Sequence, residues 1–417
     1  MSKPSQAVIL CGGKGTRLLP YTKNIPKPMI ECNEKPFLWH LLTQLHDQGI
    51  KRFVLLTGYL TENIEDYFKD GSSFGWKISY SKGPVEWQTG RRLWEAKDKI
   101  DETFLLLYSD NFVSFSLDKV FSFHRQCNKP LTFMVSKKLP GNISLNLNKT
   151  VKKYNNSRSN KKLNYVEIGY MIVEKEKTFN NFETPNCSFS LVLTQMANNN
   201  EISAFIQQDQ YQSISDPERW KKAEQYLKPK KIILIDRDGV INKKATQGEY
   251  ISKWSDFEWI EETRLAMKLL AKKGFMFIVI TNQAGVARGV IDPIELEVIH
   301  QNMIDDLKKD NIDVLNIYLC PHHWNDECEC RKPNPGMLYQ ASLEWNFRLD
   351  KAIFIGDDIR DCQTAYNAGT NSVFIGENSE LKNISHEIQP IFSTINLDDC
   401  VSNIIKHFNY INSNDYH

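Results

Sequence analysis

The 417-residue sequence has no excess of charge of either sign and no long apolar run. Its 52 basic residues nearly balance 51 acidic ones, giving a formal net charge of +1. General binders of nucleic acid or of membrane surfaces usually carry a basic excess, so we expect neither partner. A membrane helix needs about 20 consecutive apolar residues, and the run at residues 7–11 is too short even for a secretion signal. We therefore expect a cytoplasmic protein.

Cysteine is also scarce, and its count of nine is odd. Disulfide frameworks belong mainly to small secreted domains, so reduced thiols and metal ligation are the better interpretations here. The hydrophobic fraction of 41% is close to the globular average, which allows each half of the chain to bury a core. Length alone predicts two to three domains.

Two short apolar runs, each followed by a polar loop, open two separate domains. Residues 7–11 lead into a glycine-rich loop, and residues 231–235 lead into Asp236-Arg-Asp-Gly. Continuous apolar runs of this length are typical of parallel strands buried on both faces, and they alternate here with helical patterns. The pattern predicts two Rossmann-like α/β domains, at residues 1–228 and 231–385. Residues 386–417 would form a tail, partly helical and packed on the second domain.

Three strands of the second half end in reactive polar residues. Asp236 and Asp238 stand two residues apart, so both carboxylates can face one side as the chain leaves its strand. Thr281 ends a second strand and can hold a phosphate oxygen, and Lys332 supplies a fixed positive charge. Asp357 ends a third strand. Because ligands bind at the carboxyl ends of such strands, we expect Asp236, Asp238 and Asp357 to form a Mg²⁺ site.

The order of these motifs, Asp236-Arg-Asp-Gly-Val-Ile-Asn, Thr281-Asn-Gln, Lys332 and Gly356-Asp-Asp, resembles the haloacid-dehalogenase phosphatase superfamily. The resemblance implies that Asp236 forms an aspartyl-phosphate and that Asp238 protonates the leaving group and then activates water. Lys332 and Thr281 would position the phosphoryl group. The interval between Asp238 and Thr281 has room for little beyond one helix, which predicts a capless fold. The alternative to a catalytic role is that these carboxylates are only turn and helix-cap residues.

Four potential metal ligands lie within eleven residues: Cys320, His322, Cys328 and Cys330. This set suits tetrahedral Zn²⁺, and because protein groups fill all four positions the metal would be structural. We expect the zinc loop to hold the residues that follow it beside the active site. His323 is the weaker ligand candidate, and thiols without a metal are the alternative.

The zinc loop and the Arg-Lys-Pro that follows it resemble a narrow branch of the superfamily. That branch contains the D-glycero-D-manno-heptose 1,7-bisphosphate phosphatases and the histidinol-phosphate phosphatases. Residues 281–289 look like the heptose enzymes, whereas the short interval between His322 and Cys328 looks like the histidinol-phosphate group. The resemblance implies that Asn282, Arg288, Arg331 and Lys332 contact substrate. Arg288 and Arg331 could instead be surface charges.

The glycine-rich loop of the first half, Gly12-Gly-Lys-Gly-Thr-Arg17, is neither a dinucleotide fingerprint nor a Walker loop. With its continuation to Lys27-Pro-Met, it resembles the sugar-1-phosphate nucleotidyltransferases over most of residues 5–227. Backbone N–H groups of Gly12, Gly13, Gly15 and Thr16 can cradle a nucleoside triphosphate.

The same resemblance implies roles for charged side chains. Arg17 would clamp pyrophosphate, Lys27 would neutralise the α-phosphate, Asp110 would bind Mg²⁺, and Glu167 would contact the sugar. The chain departs from the family where Ser213 replaces a second metal-binding Asp, and where Arg91 and Arg92 replace small residues. Either this metal site is built differently or the domain is impaired.

Together the two resemblances predict one bifunctional enzyme of nucleotide-sugar biosynthesis. Its phosphatase would remove the 7-phosphate of a heptose 1,7-bisphosphate, and its transferase would join the heptose 1-phosphate to a nucleotide. We favour GTP and the α-anomer, and a homo-oligomer is possible. Two alternatives stay open. The first half could be a non-catalytic module, or the second half could be a histidinol-phosphate phosphatase.

Overall fold

The computed structural model describes residues 3–155, 162–246 and 248–413, and the chain forms two compact units that divide between Leu227 and Lys228. Both units are α/β, as the alternation of apolar runs and helical patterns predicts. Each unit is described by itself below.

The strands of the N-terminal unit are β1 (Gln6–Leu10), β2 (Glu31–Cys32), β3 (Lys35–Pro36), β4 (Arg52–Thr57), β5 (Lys77–Lys82), β6 (Thr103–Tyr108), β7 (Asn111–Val113), β8 (Leu131–Lys137), β9 (Ile143–Leu145), β10 (Val151–Tyr154), β11 (Tyr165–Glu174), β12 (Ile202–Gln207) and β13 (Tyr211–Ser213). Its helices are α1 (Phe37–Asp47), α2 (Thr61–Phe68), α3 (Thr89–Glu95), α4 (Leu117–Cys127), α5 (Lys175–Phe179), α6 (Phe189–Asn198) and α7 (Pro217–Leu227).

Strand β1 lies near the middle of the main sheet of this unit, whose order is β10-β9-β11-β6-β1-β4-β5, with β8 on β11 and β12 on β8. It pairs in parallel with β4 and β6. Ala7 and Ile9 enter the apolar cluster on one face, and Val8 and Leu10 enter the cluster on the other. The sheet is therefore covered on both faces, as its unbroken apolar strands predict. The glycine-rich loop leaves the carboxyl end of β1.

The C-terminal unit contains β14 (Ile232–Ile235), β15 (Met276–Asn282), β16 (Val314–Cys320), β17 (Ile353–Gly356), β18 (Asn371–Ile375) and β19 (Phe392–Thr394), with α8 (Glu261–Ala271), α9 (Pro293–Lys309), α10 (Gly336–Trp345), α11 (Ile359–Ala368) and α12 (Leu397–Ser413). These strands form one parallel sheet in the order β16-β15-β14-β17-β18-β19. The carboxyl ends of β14, β15 and β17 therefore meet at one edge, and the predicted phosphatase residues follow them.

The segment between Asp238 and Thr281 is short, and its described residues form a 3₁₀ turn (Trp254–Asp256), α8 and most of β15. These residues contain no inserted domain, so the described part of the segment fits the capless fold predicted from its length.

Helix α12 closes one face of the C-terminal unit by packing against α8. Its Ile404 and Phe408 lie in the same buried cluster as Met267 and Leu270 of α8. Within the part of the chain that the structure describes, no helix combines the length and the apolar character that a membrane crossing requires.

We predict that Ile404→Ala destabilises the C-terminal unit by about 2–5 kcal/mol, because it deletes buried methylenes and leaves a cavity. Ile404 is fully buried, whereas Ile294 on α9 is 70% exposed, so Ile294→Ala is the matched control. The urea dependence of hydrogen exchange in α12 peptides measures the effect. Equal effects of the two substitutions would show that α12 does not belong to the core.

Candidate active sites and metal centres

The ammonium of Lys332 joins two buried carboxylates at the carboxyl edge of the C-terminal sheet. Its Nζ lies 2.8 Å from Oδ2 of Asp236 and 2.7 Å from Oδ1 of Asp361, and it donates to the carbonyl of Ile280 at 3.2 Å. All three charged groups are buried, with Lys332 only 4% exposed. Lys332 therefore fixes one oxygen, Oδ2, of the Asp236 carboxylate directly after β14.

A carboxylate cluster surrounds this position. Oxygens of Asp236, Asp357 and Asp361 lie within 4.8 Å of one another, a donor set that could hold a metal ion. This group contains Asp361, which the predicted set did not name, and the place of Asp238 in that set stays a prediction. Asp361 is the third residue of α11, and its side chain accepts from the backbone N–H of the helix N-cap, Asp358. The sequence signal was available, since Asp361 follows Asp357 by one helical turn.

The electrostatics of the cluster fit a hard cation. Burial raises the pKa of Asp236 to about 7, although Lys332 opposes the shift. Burial likewise raises the pKa of Asp357 to about 6, against the ion pair with Lys244 at 2.5 Å. The other oxygen of Asp357, Oδ1, is buried without a hydrogen-bond partner. The cluster thus offers several carboxylate oxygens whose negative charge the neighbouring cations do not fully balance. Mg²⁺ and similar hard cations bind such oxygen ligands.

Asp238 lies beside the carboxylate cluster and points to other partners. Arg237 contacts both of its oxygens at 2.9 Å, Asn242 donates to Oδ1 at 3.0 Å, and Gln283 donates to Oδ2 at 2.7 Å. Burial raises the pKa of Asp238, but these donors outweigh it and hold the pKa below its ordinary value. The same Gln283 amide contacts the hydroxyl of Thr281 at 2.9 Å.

A cavity of about 120 Å³ opens between these residues, and its lining comprises Asp236, Asp238, Lys244, Thr281, Asn282, Lys332, Asp357, Asp358, Arg360 and Asp361. The structure thus brings together the predicted nucleophile, acid–base residue, threonine and lysine. Asn282 lines the cavity and also binds the backbone of Lys332, through contacts of 3.1 and 3.3 Å. The small volume suits a phosphate group and leaves most of a larger substrate outside.

The predicted zinc ligands form a second candidate metal centre. Atoms of Cys320, His322, Cys328 and Cys330 lie within 4.8 Å of one another. Three measured separations are 3.5 to 3.6 Å, and His322 Nδ1 lies 3.1 Å from Cys330 Sγ. Ligands on a tetrahedron with bonds of about 2.3 Å would stand roughly 3.7 Å apart, so this donor set fits such an ion.

The side chain of Arg288 lies near two aromatic rings. Its guanidinium carbon is 5.6 Å from the ring centre of Tyr250 and 5.5 Å from that of Trp324, and it donates to the Tyr250 hydroxyl at 3.2 Å. Neither Arg288 nor Arg331 lines the small cavity described above. Their predicted contact with substrate stays a prediction.

The N-terminal unit contains a larger cavity of about 820 Å³ at the carboxyl edge of its sheet. All predicted residues of this unit line it: Gly12, Gly13, Gly15, Thr16, Arg17, Lys27, Asp110 and Glu167. Gly15 adopts φ 64°, a left-handed conformation that favours glycine. A substituent at Gly15 would also approach the Cβ of Lys27 to 2.8 Å, so this turn brings the loop and the lysine together.

Asp110 and Lys27 form an ion pair at 2.6 Å inside this cavity. Ser213 lies nearby because β13 pairs with β7, and the following residue, Ile214, donates to the carbonyl of Asp110 at 3.0 Å. Over the described residues, no three His, Cys, Asp or Glu side chains near Asp110 are close enough to share a metal ion. At this position the chain therefore offers the hydroxyl of Ser213, where the family resemblance expects the carboxylate of a second metal-binding Asp.

Arg92 is a feature whose role the sequence analysis missed. It is 4% exposed, and its guanidinium donates to the carbonyls of Thr57 at 2.7 Å, Pro84 at 2.6 Å and Gly12 at 3.4 Å. Its hydrogen bond to Gly12 therefore connects the glycine-rich loop to the segments that contain Thr57 and Pro84. Arg91 points elsewhere, to Glu95 at 2.7 Å.

The chain matches two protein families in sequence. Residues 6–142 match the nucleotidyl transferase family, and residues 231–390 match the polynucleotide kinase 3 phosphatase family. With the geometry above, these matches define an enzyme with a nucleotidyltransferase domain followed by a haloacid-dehalogenase-like phosphatase domain. The fusion expected from the motifs is confirmed.

Individual relatives are more specific. The D-glycero-alpha-D-manno-heptose-1,7-bisphosphate 7-phosphatase of Photorhabdus laumondii is 34% identical over 152 residues, which cover 35% of this chain and 81% of that protein. The beta-heptose enzyme of Escherichia coli K12 is 36% identical over 147 residues, covering 33% and 75%. Through its C-terminal unit, the chain belongs to the family of the heptose-1,7-bisphosphate 7-phosphatases.

A third relative matches with the transferase half. The probable glucose-1-phosphate cytidylyltransferase of Bacillus subtilis is 40% identical over 141 residues, which cover 29% of this chain and 56% of that protein. The chain thus spans little more than half the length of this relative.

We predict that Lys332→Met destabilises the C-terminal unit by about 3 kcal/mol in Mg²⁺-free buffer, because it leaves buried carboxylates without their cation. Burial already raises the pKa of Asp236 in the folded chain, and without the opposing charge of Lys332 this carboxyl group would bind its proton more tightly still. The loss should therefore be smaller at pH 5.5 than at pH 8.

The matched control for this prediction is Lys309→Met. The Lys309 side chain is 74% exposed, and its pair with Asp306 is a surface ion pair that water screens, so its loss should change stability little. The urea dependence of hydrogen exchange in β14 and β17 peptides, measured at both pH values, provides the comparison. A loss that is the same at both pH values would contradict the burial argument.

Proposed function

We propose that this chain carries out two consecutive steps of nucleotide-sugar biosynthesis. Its C-terminal unit removes the 7-phosphate of D-glycero-D-manno-heptose 1,7-bisphosphate, and its N-terminal unit transfers a nucleotidyl group to the heptose 1-phosphate and releases pyrophosphate. The observation that carries the first step is the Asp236–Lys332 pair beside the carboxylate cluster, in a unit 34% and 36% identical to heptose bisphosphate phosphatases. The second step rests on the family match and on the lined cavity.

The phosphatase mechanism follows from the placement of the side chains. A carboxylate oxygen of Asp236 attacks phosphorus, and the bond from phosphorus to the sugar oxygen breaks as Asp238 gives that oxygen a proton. Lys332 and Thr281 bind the phosphoryl oxygens. Mg²⁺ held by Asp236, Asp357 and Asp361 would neutralise charge on the transferred group. Water, deprotonated by Asp238, then attacks the aspartyl-phosphate, which releases inorganic phosphate and restores Asp236.

The transferase mechanism depends on positive charge and on backbone donors. The glycine-rich loop binds the triphosphate, Arg17 holds the pyrophosphate that leaves, and Lys27 neutralises the α-phosphate while the sugar phosphate attacks. Asp110 supplies the carboxylate for Mg²⁺, and Glu167 contacts the sugar.

We favour GTP as the nucleotide and the α-heptose as the sugar. The phosphatase relatives include enzymes named for each anomer at nearly equal identity, so they support the heptose, while the α-anomer rests on the resemblance of the transferase half. We further propose that the Cys/His centre binds structural Zn²⁺. The enzyme would work in the cytoplasm. The boundary between its two domains would lie at residues 228–231 of the sequence.

One observation favours a second candidate for the N-terminal unit. Ser213 stands where the family resemblance expects a second metal-binding Asp, and Lys27 already pairs with Asp110. A unit that binds nucleotide or sugar phosphate without transferring it would have these features. Formation of pyrophosphate from heptose 1-phosphate and a nucleoside triphosphate decides between the two.

We predict that Asp236→Asn abolishes phosphate release from the bisphosphate, because an amide cannot act as the nucleophile. Transfer from supplied heptose 1-phosphate should persist, and Asp110→Asn should give the reverse pattern. The protein is incubated with Mg²⁺, heptose 1,7-bisphosphate and each of four nucleoside triphosphates, and the products are identified by mass spectrometry. Asp306→Asn, on the surface of α9, is the control for loss of a carboxylate. Phosphate release by the Asp236 variant would disprove the assigned nucleophile.

We predict that the purified chain contains one equivalent of zinc and that Cys330→Ser removes most of it. Loss of one of four ligands should also lower the stability of the C-terminal unit, because the metal ties the segment between β16 and α10. Elemental analysis and thermal unfolding test this, with Cys127→Ser, a thiol in the other unit, as the control. A full zinc content in the Cys330 variant would show that the metal binds elsewhere.

A further inference from the structure

A buried polar chain lies behind the carboxylate of Asp238, outside the residues that line the phosphatase cavity. Arg237, the residue between Asp236 and Asp238, is fully buried. Its Nε and Nη2 contact Asp238 at 2.9 to 3.1 Å, and its Nη1 lies 3.0 Å from Nε2 of His300 on α9. One guanidinium therefore connects α9 to the acid–base residue.

The direction of the Arg237–His300 hydrogen bond follows from its chemistry. A guanidinium has only donors, so Nε2 of His300 must accept and the imidazole must be neutral with its proton on Nδ1. Burial, together with the charge of Arg237, lowers the pKa of His300 to about 3. His300 is only 7% exposed, so its hydrogen bond to Arg237 lies in the interior of the unit.

The consequence for Asp238 is a carboxylate with one orientation. Arg237 contacts both oxygens, and Asn242 and Gln283 each contact one. Every one of these contacts comes from a donor, so the two oxygens are held as acceptors, which is the role they have when they take a proton from water. The arrangement matches the second half of the phosphatase reaction better than the first half, in which this group must carry a proton.

We propose that His300 is a positioning residue for the hydrolysis of the aspartyl-phosphate. By accepting from Arg237, it keeps Arg237 against Asp238 and so fixes the general base. In this step the water oxygen forms a bond to phosphorus, the bond from phosphorus to the Asp236 oxygen breaks, and the water proton moves to Asp238. That proton then serves the next leaving group. The inference rests on the proposed phosphatase function.

The test compares His300→Leu with His300→Gln, whose amide oxygen can again accept from Arg237. The exposed His386 supplies the control variant, His386→Leu. The substrate is p-nitrophenyl phosphate, because nitrophenolate leaves without needing a proton and formation of the phosphoenzyme is then insensitive to the acid. We expect a burst of nitrophenolate and an acid-stable phosphoenzyme in His300→Leu, whose breakdown is slowed about tenfold or more. His300→Gln should restore most of the rate.

Other outcomes are separable. If burst and steady-state rates fall together in His300→Leu and no phosphoenzyme accumulates, His300 has a merely structural role and the proposal is wrong. The proposal is equally wrong if His300→Leu turns over like His386→Leu. An unmodified chain that releases no phosphate from any monoester would instead refute the proposed function. Should the leucine variant not fold, His300→Met, whose sulfur is a weak acceptor, takes its place.

Discussion

The C-terminal unit depends on one buried ammonium placed between two buried carboxylates. Three parallel strands end at the same edge, and burial there raises the pKa of Asp236 and of Asp357. Lys332 opposes the shift at Asp236, with which it pairs, and it pairs with Asp361 as well. The remaining negative charge is what draws a divalent cation, so the nucleophile and the metal site arise from the same excess of buried carboxylate.

The side chains that line the cavities of the two units differ in their balance of charge. The lining of the phosphatase cavity contains more carboxylates than cationic side chains. The transferase cavity brings Arg17, Lys27 and backbone N–H groups together around a single paired aspartate. A triphosphate brings several negative charges of its own, so a cavity rich in donors suits it, whereas a cavity rich in carboxylates suits a phosphate group together with a cation.

Much of this architecture could be predicted from the sequence because buried parallel strands have unbroken apolar sequences. Polar residues that directly follow such strands must lie together at one edge of the sheet. The fold class is confirmed on that basis, and the predicted residues of both cavities lie where strand ends place them. Sequence reasoning failed where a role depends on side-chain direction. It could not tell that Asp238 turns towards Arg237 while Asp361 turns towards the cluster, although both are aspartates near strand ends. It also interpreted Arg92 as a departure, because burial of a guanidinium beneath a loop leaves no periodic signal.

The position of Arg92 has a consequence for nucleotide affinity. A Cβ at Gly58 would approach the Arg92 Nη2 atom to 2.6 Å, so the guanidinium fills space that any side chain at this glycine would need. Its hydrogen bonds to the carbonyls of Thr57, Gly83 and Pro84 connect neighbouring segments to Gly12 of the glycine-rich loop before any ligand binds. A loop that is already ordered loses little conformational entropy when it closes on a triphosphate, so more of the interaction energy is retained as binding strength.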